Sequence, residues 1–128
     1  MTSITIKGKT YTLRYDMSVA EWLEEKYGDA REAFSKMHGT KESKETITAI
    51  FCAMATAAND FQGIPEIVKP ADVQLFDKHT SPGRVSVIMK AIIAAFNDGN
   101  RLQTAEDEDA EIHDDYLKEL KSEEKSKN

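Results

Sequence analysis

Apolar and polar residues alternate over the first fifteen positions. Ile4 and Ile6 alternate with Thr5 and Lys7; Tyr11, Leu13 and Tyr15 alternate with Thr12 and Arg14. A period of two gives each segment one apolar face, so the pattern predicts two β-strands. Gly8-Lys9 between them suits a two-residue turn with glycine first, where a positive φ is needed. That turn pairs Ile6 with Tyr11 and Ile4 with Leu13, setting both apolar faces on one side. A lone hairpin is marginal in water, so this one is expected to lie on the helices that follow.

The period then lengthens to three and four. Ser18 with Glu21 three residues on forms a capping box for a helix whose stripe is Val19, Trp22, Leu23 and Tyr27, and Gly28 is placed to end it. Asp29 opens a second helix with Glu32 as its partner; Ala30, Ala33, Phe34 and Met37 follow, and Gly39 is the expected stop. Residues 40–46 are polar, with Ser43 or Thr46 as caps for the clearest stripe in the chain: Ile47, Ile50, Phe51, Met54, Ala58 and Phe61. The other positions of that helix are mainly Ala and Thr, which allows a second helix to approach closely. Gly63, Pro65 and Pro70 mark residues 62–70 as a connection. Pro70 suits the first turn of a short helix carrying Val73, Leu75 and Phe76 and ending at His79-Thr80. Ser81 followed by Pro82 starts the last helix. Its Val85, Val87, Ile88, Met89, Ile92, Ile93 and Phe96 leave little polar face, which predicts a central helix or one covered by another subunit.

After Asn100 the character changes. Residues 1–100 carry 13 acidic and 12 basic side chains, whereas residues 101–128 carry 10 and 5. The expected fold is therefore α+β, mainly α: an N-terminal β-hairpin packed on a bundle of about five helices over residues 1–100. An acidic C-terminal tail over 101–128, disordered or partly helical, completes it. One feature interrupts the tail's polarity. Ile112, Tyr116, Leu117 and Leu120 share one face if that stretch is helical. The plain reading is a solubilising tail with nascent helix; the sharper one is a partner-binding helix that lays its stripe into a groove.

Length and charge narrow the classes. A chain of 128 residues suggests one domain with a modest core. The acidic tail repels nucleic acid, and no basic stripe compensates for it, so DNA or RNA binding is not expected. No apolar run approaches the roughly twenty residues that span a membrane, and the N-terminus has no signal-peptide core. A single cysteine, Cys52, excludes an intrachain disulfide and suggests a cytosolic protein. Its apolar helical setting reads as a buried thiol rather than a nucleophile.

Motifs that carry chemistry do not assemble. His38, His79 and His113 lie far apart, without the spacing of a zinc site. The run Asp107-Glu108-Asp109-Ala110-Glu111 resembles the start of a calcium loop, but Ile112 stands where glycine is needed and Lys118 where a bidentate Glu is needed. The glycines are scattered rather than gathered into a phosphate loop, and Ser81-Pro82-Gly83 is a helix start rather than a nucleophile elbow. Phe51 and Met54 read as core, not as a cofactor box. No cofactor, metal or catalytic residue is expected, and a binding or assembly role is favoured over an enzyme.

The chain resembles the tail assembly chaperones of siphophages and prophages of Gram-positive bacteria. Residues 4–15, ITIKGKTYTLRY, look like their short N-terminal hairpin, and residues 19–28, VAEWLEEKYG, are similar to the following helix with its terminal aromatic and glycine. The apolar helices over 47–61 and 82–97, with the proline-containing connection between them, match the usual order. The likeness covers about residues 3–98; the long acidic tail departs from it. The resemblance implies a non-enzymatic protein that binds the tape measure protein and keeps it soluble until tail tube subunits polymerise around it. It further implies a cytoplasmic role in the host bacterial cell, absence from the mature virion, and contact with the tail tube protein through a longer frameshifted form in many phages; the apolar helix over 82–97 separately leaves surface for a partner or another copy, a homo-oligomer. The alternative of another class is a small acidic regulatory adaptor or inhibitor that binds a basic protein through residues 106–115, with contacts that salt weakens.

Overall fold

The computed structural model describes residues 1–39 and 41–101. Strands β1 (Thr2–Ile6) and β2 (Lys9–Leu13) form an antiparallel hairpin. Helices α1 (Met17–Tyr27), α2 (Ala30–Ser35), α3 (Ser43–Phe61), α4 (Pro70–Val73) and α5 (Pro82–Gly99) follow. The fold is α+β and mainly α, with the apolar face of the hairpin laid on α3 and α5. No helix among the described residues is long and apolar enough to cross a membrane.

The hairpin faces as the alternation requires, with Ile6, Tyr11 and Leu13 buried, but its register differs by two residues. Ile4 opposes Tyr11 and Ile6 opposes Lys9. The turn is therefore Lys7-Gly8, with φ of 51° and 81°. Positive φ at both positions is the primed turn whose twist matches the paired strands, and this outweighs the strain of a left-handed lysine. Lys7 Nζ also donates to the Gln74 carbonyl at 3.0 Å, which holds the turn against the rest of the molecule. A shift of two preserves the side each residue faces, so the apolar pattern survives the change.

The cap of α1 is Asp16, not Ser18. Asp16 Oδ1 accepts from the backbone N–H of Ser18 at 3.1 Å and of Val19 at 3.4 Å, and from the Ser18 hydroxyl. Arg14 Nε donates to the other carboxylate oxygen at 3.1 Å. Ser18 thus lies inside the first turn, where its hydroxyl serves the cap rather than forming it. Gly28 ends the helix at φ 95°. Asp29 caps α2 as expected, its carboxylate accepting from Glu32 N–H at 2.7 Å. That helix closes at Ser35, before Gly39, in a turn in which Met37 is buried.

Helix α3 is the central element, touching β2, α1, α4 and α5. Its stripe of Ile47, Ile50, Phe51, Met54 and Ala58 is buried; Tyr11 meets the Phe51 ring edge-on at 5.4 Å. Phe61 leaves the stripe: it is 60% exposed at the last residue of the helix, with the Arg14 guanidinium 3.7 Å from its ring centre. Neither expected cap acts as one. Glu42 holds the N-cap position without a side-chain bond, Ser43 is the first helical residue, and Thr46 is buried within the helix.

Helix α4 is shorter than the spacing of Val73, Leu75 and Phe76 suggested. It stops at Val73 because Gln74 turns left-handed, φ 47°, and Leu75 reaches the core from the following segment. Ser81 caps α5, accepting from Arg84 N–H at 3.2 Å with Pro82 in the first turn. The last helix is not central. Ile88, Ile92 and Ala95 are buried, while Val87 is 56% and Ile93 39% exposed. Its C-terminal end packs on Tyr15, in the link between β2 and α1. Tyr15 and Phe34 both meet Phe96 edge-on, at 4.7 and 4.6 Å. A Cβ at Gly99 would overlap the Tyr15 carbonyl oxygen.

Candidate partner-binding groove

The face of α3 opposite its buried stripe carries small residues at helical spacing: Ala49, Cys52, Ala53, Thr56 and Ala57. These form the floor of a groove of about 550 Å³. One wall is α1, through Ser18, Val19, Trp22 and Lys26; the other is the segment Ile67-Val68 with Pro70. A further recess of about 410 Å³ continues from Lys26, Ala49 and Pro70 to Lys44, Glu45 and Phe76.

Local bonds build the second wall. Thr56 on α3 accepts the Val68 backbone N–H at 2.9 Å, and Asn59 Nδ2 donates to the Glu66 carbonyl at 3.1 Å. The backbone N–H of Ile64 donates to the Asn59 carbonyl at 2.8 Å. The proline-rich connection is thereby pinned beside α3, with Ile67 67% exposed at its rim. The first wall runs antiparallel to α3. Arg14 N–H donates to the Met54 carbonyl at 3.1 Å before α1 begins. At its far end the Tyr27 phenol lies beside the Thr46 side chain. The groove therefore has a near end at Ser18 and Asp60 and a far end at Lys26 and Lys44. From Glu45 to Asp60 its floor runs about 22 Å, at 1.5 Å per residue.

The chemistry of this surface is apolar contact. Cys52 is 6% exposed, and burial, with the Asp72 carboxylate adding to it, pushes its thiol up to about 11. It is a protonated, inert thiol at neutral pH. Trp22 is half-buried, its ring edge-on to Tyr27 at 5.9 Å and 5.2 Å from Lys26 Nζ. The floor of alanines lets an incoming backbone lie close, and the Trp22 and Ile67 side chains offer apolar area on either bank.

His79 contributes to no metal cluster; its backbone N–H donates to Asp77 Oδ1 at 2.8 Å in a local turn. That bond, helped by nearby Lys7, holds the Asp77 carboxyl below its ordinary range. Among the described residues no three His, Cys, Asp or Glu side chains come together as a metal site. The stripe of Ile112, Tyr116, Leu117 and Leu120 and the acidic run 106–115 lie outside the described residues. The Ala and Thr positions of α3 were the sequence signal for the floor. The wall made by Ile67 and Val68 had none, because it depends on Thr56 and Asn59 bonding to residues brought near only by the fold. Compared with known proteins, the chain matches no family, no curated protein and no solved structure.

Proposed function

We propose that this chain is a non-enzymatic phage tail assembly chaperone that binds helical segments of a tape measure protein in the groove between α1 and α3. It would keep that protein soluble in the host cytoplasm until tail tube subunits take its place, and leave before the virion is complete. The observation that carries the proposal is the alanine floor of α3, flanked by Trp22 and Ile67 and open along about four helical turns. An amphipathic helix fits such a surface through side chains spaced three and four apart. A long helical client offers that pattern repeatedly, so weak, apolar, repeated contacts suffice to coat it. The exposed Val87 and Ile93 on α5 give a separate apolar surface for neighbouring copies on the same client.

Co-expression with the tape measure protein encoded beside this chain tests the proposal. The expected result is soluble recovery of the client only when this chain is present, in a complex that persists at high salt and is lost when Ala53→Gln fills the groove. A client soluble alone, or capture that salt abolishes and Ala53→Gln leaves intact, contradicts it; the second outcome supports the acidic adaptor instead.

A further inference from the structure

The two banks of the groove are held in different ways. Helix α1 carries its own backbone bonds, whereas residues 64–68 are neither helix nor strand. Among the described residues, this segment's hydrogen bonds to the rest of the molecule go to Thr56 and Asn59 of α3. Thr56 Oγ1 accepts from the Val68 N–H at 2.9 Å. Asn59 holds the other end twice: its side-chain Nδ2 donates to the Glu66 carbonyl at 3.1 Å, and its own carbonyl accepts from the Ile64 N–H at 2.8 Å. Apolar anchorage is slight. Ile64, Pro65, Glu66 and Ile67 are exposed, and Val68 is partly buried against the core.

Space lies on both sides of this segment. Val68 lines the groove on the α1 side, and on the other side it lines a recess of about 180 Å³ between α3 and residues Lys9 to Thr12 of β2. The recess leaves the bank without close packing against the hairpin at that point. A helix wedged between Trp22 and Ile67 presses the segment outward, and the bonds from Thr56 and Asn59 are what resist it.

We infer that Thr56 and Asn59 are positioning residues for the groove: they latch residues 64–68 as its second bank and so set the width at which a helix binds. Without the latch the segment shifts toward the recess beside β2, and the groove loses the grip of Ile67. The inference rests on the groove being a helix-binding site, as in the proposed function. Latching differs from direct contact with the bound helix in two ways. Asn59 lines the recess and is not among the residues that line the groove, so it acts on a helix in the groove only through the segment. Thr56 does lie on the floor, and there the hydroxyl discriminates. An apolar floor contact is kept or strengthened in Thr56→Val and weakened in Thr56→Ser; a latch that needs the hydroxyl gives the reverse order.

The test uses the full chain and its Thr56→Val, Thr56→Ser and Asn59→Ala variants, each read twice. Amide hydrogen exchange of the free protein reports the latch. The Val68 amide is expected to exchange about 5–10-fold faster in Thr56→Val than in the parent and to stay protected in Thr56→Ser, as the loss of one hydrogen bond requires. Soluble capture, at high salt, of the tape measure protein encoded beside this chain reports the width. If the latched form falls to between a third and a tenth of the population, Thr56→Val and Asn59→Ala bind that client about 3–10-fold more weakly, while Thr56→Ser stays near the parent. Unchanged Val68 exchange in Thr56→Val overturns the inference, as does a Thr56→Val protein that binds as well as the parent. Capture kept by Thr56→Val and Asn59→Ala but abolished by Ala53→Gln removes this inference and leaves the chaperone reading standing. A parent chain that captures no client, with Val68 released in Thr56→Val, removes the chaperone reading and leaves the latch standing.

Discussion

The two faces of α3 differ in how far the rest of the fold covers them. On one side Ile47, Ile50, Phe51 and Met54 are closed over by the hairpin and α5 and are at most 1% exposed. On the other, Ala49, Ala53 and Thr56 are partly open, because no described residue between α1 and the Ile67–Pro70 segment covers them. Both faces lack charge at their centres. The difference is side-chain size: large residues fill the packed face, and small ones leave room on the open face for a foreign backbone. Polarity separates core from surface; side-chain volume separates a filled surface from a grooved one.

The largest test of this contrast removes bulk from the packed face. Phe51→Ala is expected to cost about 3–5 kcal/mol, read as a lowered urea midpoint, because Phe51 is fully buried and loses its contact with Tyr11. A cost below that of an exposed-site substitution would mean that this face is not the core.

Cys52 is the buried residue of the groove floor that titrates, and its burial carries a pH signature. Its folded-state pKa is raised from 9.0 to about 11, so the folded protein holds the proton more tightly than the unfolded chain. The stabilisation is fully present below pH 9 and is lost as pH rises through about 11; the loss amounts to about 2–3 kcal/mol. Cys52→Ala should flatten the fall in stability between pH 9 and 10. Tyr15 and Tyr27, whose phenols burial also raises, sustain the decline above pH 10. An unchanged slope in Cys52→Ala would show the thiol to be solvated.

Next in size is the contact that closes α5 on Tyr15, between β2 and α1. Gly99→Ala drives a methyl into the Tyr15 carbonyl, which cannot yield without moving the backbone. A loss of about 1–3 kcal/mol is expected in chemical denaturation. A neutral result would place the end of α5 elsewhere. The smallest effect discriminates the cap of α1. Asp16→Ala is expected to lower stability by about 1 kcal/mol and Ser18→Ala by less, since Asp16 accepts from the helix N–H groups. The reverse order would restore Ser18 as the cap.

Much of the fold was legible in the chain. Alternation gave the hairpin its inward face, and the pairs Asp29/Glu32 and Ser81/Pro82 marked two helix starts that the structure keeps. The register escaped because period two is indifferent to a slip of two, and only the φ values of Lys7 and Gly8 decide between the turns. Asp16 and Ser18 are both good caps two residues apart, and Arg14 beside Asp16 is a contact no local rule contains. The position of α5 escaped for a different reason. Its composition is more uniformly apolar than that of α3, yet the topology puts α3 between the hairpin, α1 and α4, and leaves Val87 and Ile93 of α5 outside. Of the candidate site, the alanine floor was visible as small residues at helical spacing. The far wall was not, since it exists only once Thr56 binds the Val68 N–H across twelve residues of chain.

The central claim is that the open face of α3 binds a helix while contributing little to stability. The most direct measurement compares Ala53→Gln with the parent chain in both respects: urea denaturation, and soluble capture of the tape measure protein. The account predicts a stability change within about 0.5 kcal/mol, as for surface substitutions, together with loss of capture. A folded Ala53→Gln protein that still captures its client at high salt would contradict it.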